Sequence, residues 1–255
     1  MDKQTEEILQ KIEEAEYVLV GLGQEFDMEF FLQSREDYRR IREQLQQQNV
    51  LWLLPYVEEQ FRRQYLPEME AEIEKGLQKL AKVLEKKSYF VVSSSLNHKL
   101  AEVPWKKMLL KKERFVAPCG DWTKKQCPDG CEEGIQTVTE ADEEQLQESF
   151  KKLQTNGFSV PDLGKCPKCG KKLVLNNVYA GRYDEKGYLK TWTEYQNRLQ
   201  NTLNHKMVLL EIGEGNRFPT IIRSPFERIA LFQQKADLYC IDGEQNPIAW
   251  LLSLC

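Results

Sequence analysis

Residues 207–219 read MVLLEIGEGNRFP, and this stretch decides the fold. Its first half is a continuous apolar run of strand length, and the run ends in a turn with two glycines, Gly213 and Gly215. A continuous apolar run is typical of a parallel strand that helices cover on both faces of the sheet. The stretch therefore predicts a buried strand whose carboxyl end leads into a glycine turn.

Four further apolar runs of strand length occur in the chain, at 16–23, 88–95, 114–118 and 238–242. Helical patterns separate them, at 3–15, 35–48 and 57–86, and the helix that begins at Pro67 has acidic residues first and lysines last, as the helix dipole favours. Strands that alternate with helices in this way predict an α/β fold, a Rossmann-like, doubly wound parallel sheet. The apolar segment 49–61 is expected to lie in the core.

Ligands of such a sheet bind beyond the carboxyl ends of the strands, so these ends are the candidate site. Glycines there let a backbone approach a pyrophosphate, although a plain tight turn explains a G-x-G sequence equally well. Polar residues after the second run either reach the ligand or cap a helix, and an acid after the last run either binds ribose hydroxyls or belongs to a β-turn. The predicted dinucleotide-binding residues are Gly21, Gly23, Gln24, Ser95, Asn97, Gly213, Glu214, Gly215, Asn216, Asp242 and Gly243.

Four cysteines form two short pairs, Cys127 with Cys131 and Cys166 with Cys169. Glycine and proline lie in or beside each pair and let the chain bend around an ion, and four thiolates suit Zn²⁺ in a closed, tetrahedral site. The alternative is that these are unrelated cysteines in loops. We predict one structural zinc ion in a small inserted module at 119–175, with a Rossmann-like domain formed by 1–118 and 176–255.

Composition excludes several classes of protein. The 255 residues carry a net charge of −4, which does not favour general affinity for nucleic acid, and the spacer between the cysteine pairs is acidic. The first residues do not resemble a secretory signal, and no apolar run approaches the roughly 18 residues of a membrane span. We therefore expect a cytoplasmic protein without a membrane partner, whose cysteines are metal ligands or free thiols.

The order of these strand ends and cysteine pairs resembles a sirtuin, most closely the divergent macrodomain-linked sirtuins that transfer ADP-ribose to proteins. The resemblance runs from about Tyr17 to Asp242. It is specific in CGDWTKKQCPDGC at 119–131, CPKCGKKLV at 166–174 and LLEIGEGNRFPTIIRSPF at 209–226. It implies NAD as cofactor beside the zinc ion, NAD or ADP-ribose as ligand, and a protein as acceptor.

The resemblance places the catalytic end at Ser95, Asn97 and Cys119, where the chain departs from the family. The loop after the first strand lacks the family's serine, and the usual N-x-D pair appears as Ser95-Leu96-Asn97. Cys119 stands where deacylating sirtuins have a catalytic histidine and the ADP-ribosylating branch has glutamine. A thiol with an ordinary pKa of about 8.5 is a poor base, and loss of a positioned base costs about 10²–10⁴-fold in rate. His98 is expected to be a polar surface or capping residue.

Two interpretations remain open. The predicted function is the first, in which the chain is an enzyme that uses NAD for ADP-ribosyl transfer, protein deacylation or NAD hydrolysis, and Cys119 attacks the ribose as a thiolate near Lys124 and Lys125. In the alternative, it is a catalytically degenerate sirtuin fold that senses or holds NAD or ADP-ribose, and Cys119 packs as a small apolar residue. The substituted positions favour the second, and the glycine turns favour nucleotide binding in both.

Overall fold

The computed structural model describes residues 2–103, 105, 114–131 and 134–254. The strands among them are β1 (Tyr17–Leu22), β2 (Ser88–Ser93), β3 (Phe115–Val116), β4 (Gly120–Gln126), β5 (Gln136–Thr137), β6 (Val174–Asn177), β7 (Met207–Ile212) and β8 (Ala236–Ile241). The α-helices among them are α1 (Lys3–Glu14), α2 (Met28–Leu32), α3 (Glu36–Gln47), α4 (Leu54–Tyr65), α5 (Pro67–Val83), α6 (Lys99–Glu102), α7 (Glu140–Gln154), α8 (Leu189–Gln200), α9 (Arg223–Phe232) and α10 (Pro247–Ser253). No described helix has the length and apolarity that crossing a bilayer requires.

Five strands form one parallel sheet in the order β3-β2-β1-β7-β8. Leu22, the last residue of β1, pairs with Ser93 of β2 and with Ile212 of β7, and Ile212 pairs with Ile241 of β8. The strands therefore end at the same level. The predicted parallel sheet is confirmed, and its carboxyl edge is a single edge.

Helices cover both faces of this sheet, because successive strand residues point to opposite sides. Val18 and Val20 belong to a large apolar core shared with α1, α3, α4, α5 and α10, whereas Leu19 packs in a smaller core with α8 and α9. The segment 49–61 supplies Trp52 and Phe61 to the large core, as predicted. The doubly wound arrangement is thus confirmed.

The helical pattern at 57–86 forms two helices instead of one. Proline has no backbone N–H and is disfavoured inside a helix but accepted in its first turn. Pro67 accordingly begins α5, with Glu68 and Glu70 in the first turn, and α4 ends two residues earlier at Tyr65.

A second, antiparallel sheet in the order β5-β4-β6 lies between residues 120 and 177. The Lys125 ammonium donates to both carboxylate oxygens of Asp142, at 2.8 and 2.7 Å, and to the Leu163 carbonyl at 2.9 Å. This buried pair fixes α7 to β4. On β4, the Trp122 indole N–H donates to Nδ1 of His98 at 3.0 Å, which joins the second sheet to the loop after β2.

The turns after β1 and β7 lie in direct backbone contact. A Cβ on Gly23 would lie 2.2 Å from the Cα of Glu214 and 2.3 Å from the Gly213 carbonyl oxygen. The Gly23 N–H donates to the Ile212 carbonyl, and the Glu25 N–H donates to the Gly213 carbonyl, both at 2.9 Å. Only glycine fits at position 23, because the neighbouring atoms are backbone and cannot rotate away.

Gly23→Ala should lower the free energy of unfolding by about 1–3 kcal/mol, since the added methyl group must push two turns apart. The matched control is Gly181→Ala, because a Cβ on Gly181 meets nothing within 4 Å. Urea denaturation of both variants measures the difference. Equal midpoints for the two would contradict the close approach described here.

Candidate functional site

The four paired cysteines lie together. The sulfur atoms of Cys127, Cys131, Cys166 and Cys169 are all within 4.8 Å of one another, and those of Cys127 and Cys169 are 3.5 Å apart. Zinc–sulfur bonds of about 2.3 Å in a tetrahedron place the sulfur atoms roughly 3.8 Å apart. The donor set and its spacing therefore fit one zinc ion, as the sequence predicted.

The bends that bring the sulfurs together use glycine. Gly130 has φ +68° and Gly170 has φ +73°, in the left-handed region where a side chain is strained. Burial opposes ionisation of Cys127, but backbone N–H groups, among them that of Asp129, lower the pKa of this thiol to about 6. The Asp129 N–H lies 3.4 Å from the sulfur. These bonds favour the thiolate form of Cys127, the form that zinc binds. The neighbouring Cys127 sulfur raises the pKa of Cys131, because two thiolates this close repel each other without an ion between them.

The predicted strand-end residues converge at the carboxyl edge of the parallel sheet. The Ser93 hydroxyl donates to the Leu22 carbonyl at 3.1 Å, and the Ser94 hydroxyl donates to the Glu214 carboxylate at 2.6 Å. The Ser95 hydroxyl donates to Asp27 at 2.6 Å. Three consecutive serines therefore tie the end of β2 to the loop after β1 and to the turn after β7.

Asp27 is the centre of this cluster and is almost fully buried. Its Oδ1 accepts the Ser95 hydroxyl and the Leu96 N–H, and its Oδ2 accepts from the Arg217 guanidinium at 3.0 Å. Burial raises the pKa of Asp27 to about 6, although Arg217 and the hydrogen bonds act in the opposite direction. A buried carboxyl that titrates near neutral pH is typical of a functional site.

Arg217, on the turn after β7, binds acidic side chains of the segment after β1. Its guanidinium donates to Asp27 and, at 2.5 Å, to Glu29, and lies 3.5 Å from the Tyr179 hydroxyl. Its backbone N–H donates to Oε1 of Gln24 at 3.0 Å. The side chain is 26% exposed, so solvent still reaches a cation in an otherwise buried cluster.

The Gln24 side chain occupies the space that a side chain at position 215 would fill. A Cβ on Gly215 would lie 1.6 Å from Nε2 of Gln24, so the amide rests directly on that glycine. Gly213 has φ +63°, and a Cβ there would lie 3.0 Å from Cβ of Glu25. The two turns therefore pack through Gln24 and Glu25.

The end of β8 joins the same edge. Arg223 donates to Asn216 at 3.0 Å, to Glu211 at 2.7 Å and to Asp242 at 3.3 Å. The Gly243 N–H donates to the Glu25 carboxylate at 3.2 Å. The residues predicted at this end are thus brought together, but Arg223 already neutralises Asp242.

Two further carboxyls give the cluster an acidic character. Burial raises the pKa of Glu214 to about 7, against the hydrogen bond from Ser94. Burial, with the neighbouring Asp27, raises the pKa of Glu58 to about 8, and the Tyr38 hydroxyl donates to Glu58 at 2.7 Å. For both groups burial therefore favours the neutral, protonated form.

Cys119 lies at this edge but is completely buried. Burial raises the pKa of its thiol far above the ordinary value, and the Asp27 and Glu214 carboxylates raise it further. The ammonium of Lys124 donates to the Gly187 carbonyl, and that of Lys125 binds Asp142. These surroundings favour the neutral thiol form of Cys119. They agree with the interpretation in which Cys119 packs as a small apolar residue.

Ser95 and Asn97 are both engaged within the protein. The Asn97 amide donates to the Phe26 carbonyl at 3.3 Å and accepts from the Lys99 N–H at 3.1 Å. The Ser95 oxygen accepts from the Asn97 N–H at 3.1 Å while donating to Asp27. The two side chains fix the loop that follows β2.

His98 is buried, so the expectation of a surface or capping role is wrong. It is 8% exposed and accepts the Trp122 indole N–H, and burial, with the nearby Arg62, lowers its pKa to about 3. It is therefore neutral at physiological pH. A cavity of about 750 Å³ lies beside it between α5, α6 and β4, and this cavity shares only Asn97 with the predicted nucleotide residues.

Comparison with known proteins agrees with this architecture. No family model matches the chain, and no curated protein matches it. A structure from work on sirtuin substrate affinity matches with a TM-score of 0.52 at 15% identity, covering 96% of this chain and 90% of the other. A mutant Sir2 homologue in complex with ADP-ribose matches with a TM-score of 0.50 at 12% identity, covering 100% and 96%.

The chain has the sirtuin fold. The similarity extends over both sheets, since it covers nearly the whole chain, and the four-cysteine cluster lies in the second sheet's part of the sequence. At such low identity the likeness shows the fold alone.

Sequence reasoning missed three residues of this sirtuin-fold site, namely Asp27, Glu58 and Arg217. Asp27 and Arg217 lie within the two strand-end segments, so a search for opposite charges on facing turns would have paired them. Glu58 had no such signal, because it lies on α4 and reaches the edge only through tertiary packing.

Purified protein should contain about one zinc ion per chain, held by the four thiolates. Cys166→Ser should lose the metal and lower the melting temperature, because the module has few apolar residues to replace the ion. The matched control is Cys240→Ser, since Cys240 is an exposed free cysteine outside the cluster. Plasma mass spectrometry gives the metal content, and native protein without bound metal would contradict the assignment.

Proposed function

We propose that this chain is a sirtuin-fold protein that binds NAD or ADP-ribose without turning NAD over at a useful rate. In this proposal 1–118 and 176–255 form the nucleotide-binding domain, and 119–175 forms the zinc module that covers it. The ligand lies along the carboxyl edge, from the glycine turns to Asp242.

The state of Cys119 is the observation that carries the proposal. A nucleophile or general base at that position must be reachable and able to lose its proton. Cys119 has no exposed surface, its thiol pKa is raised, and no lysine ammonium is bonded to it among the described residues. Ser95 and Asn97 are likewise committed to contacts within the protein.

Nucleotide binding is supported by the glycine edge. Four strand ends meet at one level, and Gly213 and Gly243 have positive φ, as in turns that bind anions through backbone N–H groups. The N–H groups of Gly213 and Gly243 themselves donate to the Ile241 carbonyl and the Glu25 carboxylate, so the ligand would bind to other N–H groups of these turns or displace Glu25. A Sir2 homologue of the same fold binds ADP-ribose. The ligand requires Gln24 to move off Gly215, which a rotation about side-chain bonds accomplishes.

ADP-ribosyl transfer is the second candidate, and Asp27 favours it. The resemblance of the strand-end motifs to the macrodomain-linked sirtuins implies this reaction, in which positive charge develops on the ribose. A buried carboxylate bonded to Ser95 would stabilise such charge. The enzyme would then depend on Asp27 instead of a base at position 119.

The protein should bind ADP-ribose in a calorimetric titration and release no nicotinamide from NAD above the buffer control. Mass spectrometry measures the nicotinamide, and an active deacylating sirtuin serves as the positive control. Release that Asp27→Asn abolishes would establish an enzyme that cleaves NAD instead, and ADP-ribose found on a protein acceptor would identify it as a transferase. Absence of binding to both NAD and ADP-ribose would reject both candidates.

Asp242→Asn should weaken ADP-ribose binding about tenfold, because a carboxylate bonded to ribose hydroxyls contributes more than a neutral amide. Asp237→Asn is the matched control, since Asp237 lies at the opposite end of the same strand, where it pairs with Lys11. Equal effects of the two substitutions on the calorimetric affinity would place the ligand elsewhere.

A further inference from the structure

The cation nearest to both glycine turns is already bonded to carboxylates. Arg217 forms ion pairs with Asp27 at 3.0 Å and Glu29 at 2.5 Å, and these two side chains are 1% and 12% exposed. Both acids lie on the segment after β1, whereas Arg217 lies on the turn after β7. The ion pairs therefore join the two segments whose glycines a diphosphate would have to reach.

Carboxyl groups outnumber cationic groups around these ion pairs. The segment after β1 and α2 contribute Asp27 and Glu29, α4 contributes Glu58, and the β7 turn contributes Glu214. Their described cationic partners are Arg217 and, from α3, Arg42, which bonds Glu29 at 2.9 Å. The other titratable and charged groups that face the cluster are Tyr38, Cys119, Tyr179, Glu211, Arg223 and Asp242.

Arg223 does not compensate for the larger number of carboxyl groups. It is shared between Glu211 and Asp242, with distances of 2.7 and 3.3 Å, and it also donates to the Glu214 carbonyl at 2.8 Å. A diphosphate would therefore bring two negative charges into a partly buried site that is already acidic. Repulsion at these distances in a low-dielectric setting is large unless charge is removed.

We propose that Arg217 is the residue that receives the diphosphate of the nucleotide, and that buried carboxyls around it take up protons as the nucleotide binds. This inference rests on the proposed function and defines how that site is regulated. Guanidinium groups bind phosphate oxygens through paired hydrogen bonds, so Arg217 can exchange carboxylate for phosphate partners. Nucleotide affinity is then a function of pH.

The pKa values of these carboxyls are shifted in the direction that proton uptake requires, and they lie near neutral pH. Burial raises the pKa of Asp27 to about 6, that of Glu214 to about 7 and that of Glu58 to about 8. A bound diphosphate raises each pKa further, because it disfavours the ionised form. Affinity is thus greatest below these pKa values in the free protein and falls as the pH rises through them.

Calorimetric titration of the full-length protein with ADP-ribose tests the proposal. The dissociation constant should rise by up to about tenfold per pH unit for each proton taken up between about pH 6 and pH 8. Titrations in two buffers with different ionisation enthalpies should show net proton uptake on binding. Binding with no proton uptake and a flat pH profile would overturn the inference and leave the proposed function standing.

Two substitutions separate the roles of the charges. Glu214→Gln keeps an acceptor for Ser94 but cannot titrate, so it should bind more tightly at about pH 8 and reduce the proton uptake. Arg217→Gln should weaken binding about tenfold or more at every pH. Arg35→Gln is the control, because Arg35 makes a similar pair with Asp37 on the surface.

Different outcomes would reject the role of Arg217 and the proposed nucleotide binding. Equal affinities of wild type and Arg217→Gln, with the variant's melting temperature unchanged, would exclude Arg217 as the phosphate ligand. If this variant does not fold, the proton uptake of the wild type still decides the linkage. No binding of ADP-ribose by the wild type at any pH would reject the proposed function itself, and the inference with it.

Discussion

The structure depends on the close approach of two backbone turns, the one after β1 and the one after β7. This approach requires glycine at position 23, because a Cβ there would lie 2.2 Å from the Cα of Glu214. Once the turns touch, Gln24 lies on Gly215 and Arg217 reaches Asp27. Ser94 and Ser95, which follow β2, then donate hydrogen bonds to the turn after β7 and to the segment after β1. The whole polar edge follows from one steric requirement.

The carboxylates at this edge would have two opposite effects on a bound nucleotide. Carboxylates near a ribose would stabilise positive charge in a reaction that breaks its bond to nicotinamide. The same carboxylates would repel the diphosphate of the proposed ligand. Asp27, Glu58 and Glu214 all have raised pKa values, so in the proposed function protonation would reduce this repulsion and would also remove the charge that catalysis needs. A binding function is consistent with that balance.

The four-cysteine cluster stabilises the part of the chain that buries Cys119. Cys119 directly precedes β4, and its carbonyl accepts the Val178 N–H that follows β6, at 2.9 Å. The second sheet is fixed in turn by the buried Lys125–Asp142 pair and by Trp122, which reaches back to the loop after β2. The thiol is therefore enclosed by the same contacts that attach the second sheet, in agreement with the interpretation in which Cys119 packs as a small apolar residue.

The sequence by itself determined the parallel sheet and the zinc ligands, because both depend on local patterns. Continuous apolar runs are typical of buried strands, and two cysteines with two or three residues between them can bind one ion whatever surrounds them. It also predicted that the candidate site residues lie at one edge of the sheet, since the strands of a parallel sheet end together. Only the tertiary structure decided the charge state of that edge. Asp27, Glu58 and Arg217 are far apart in the chain, and their burial and pairing, which set the pKa values, arise only when α4 and the two turns pack against one another.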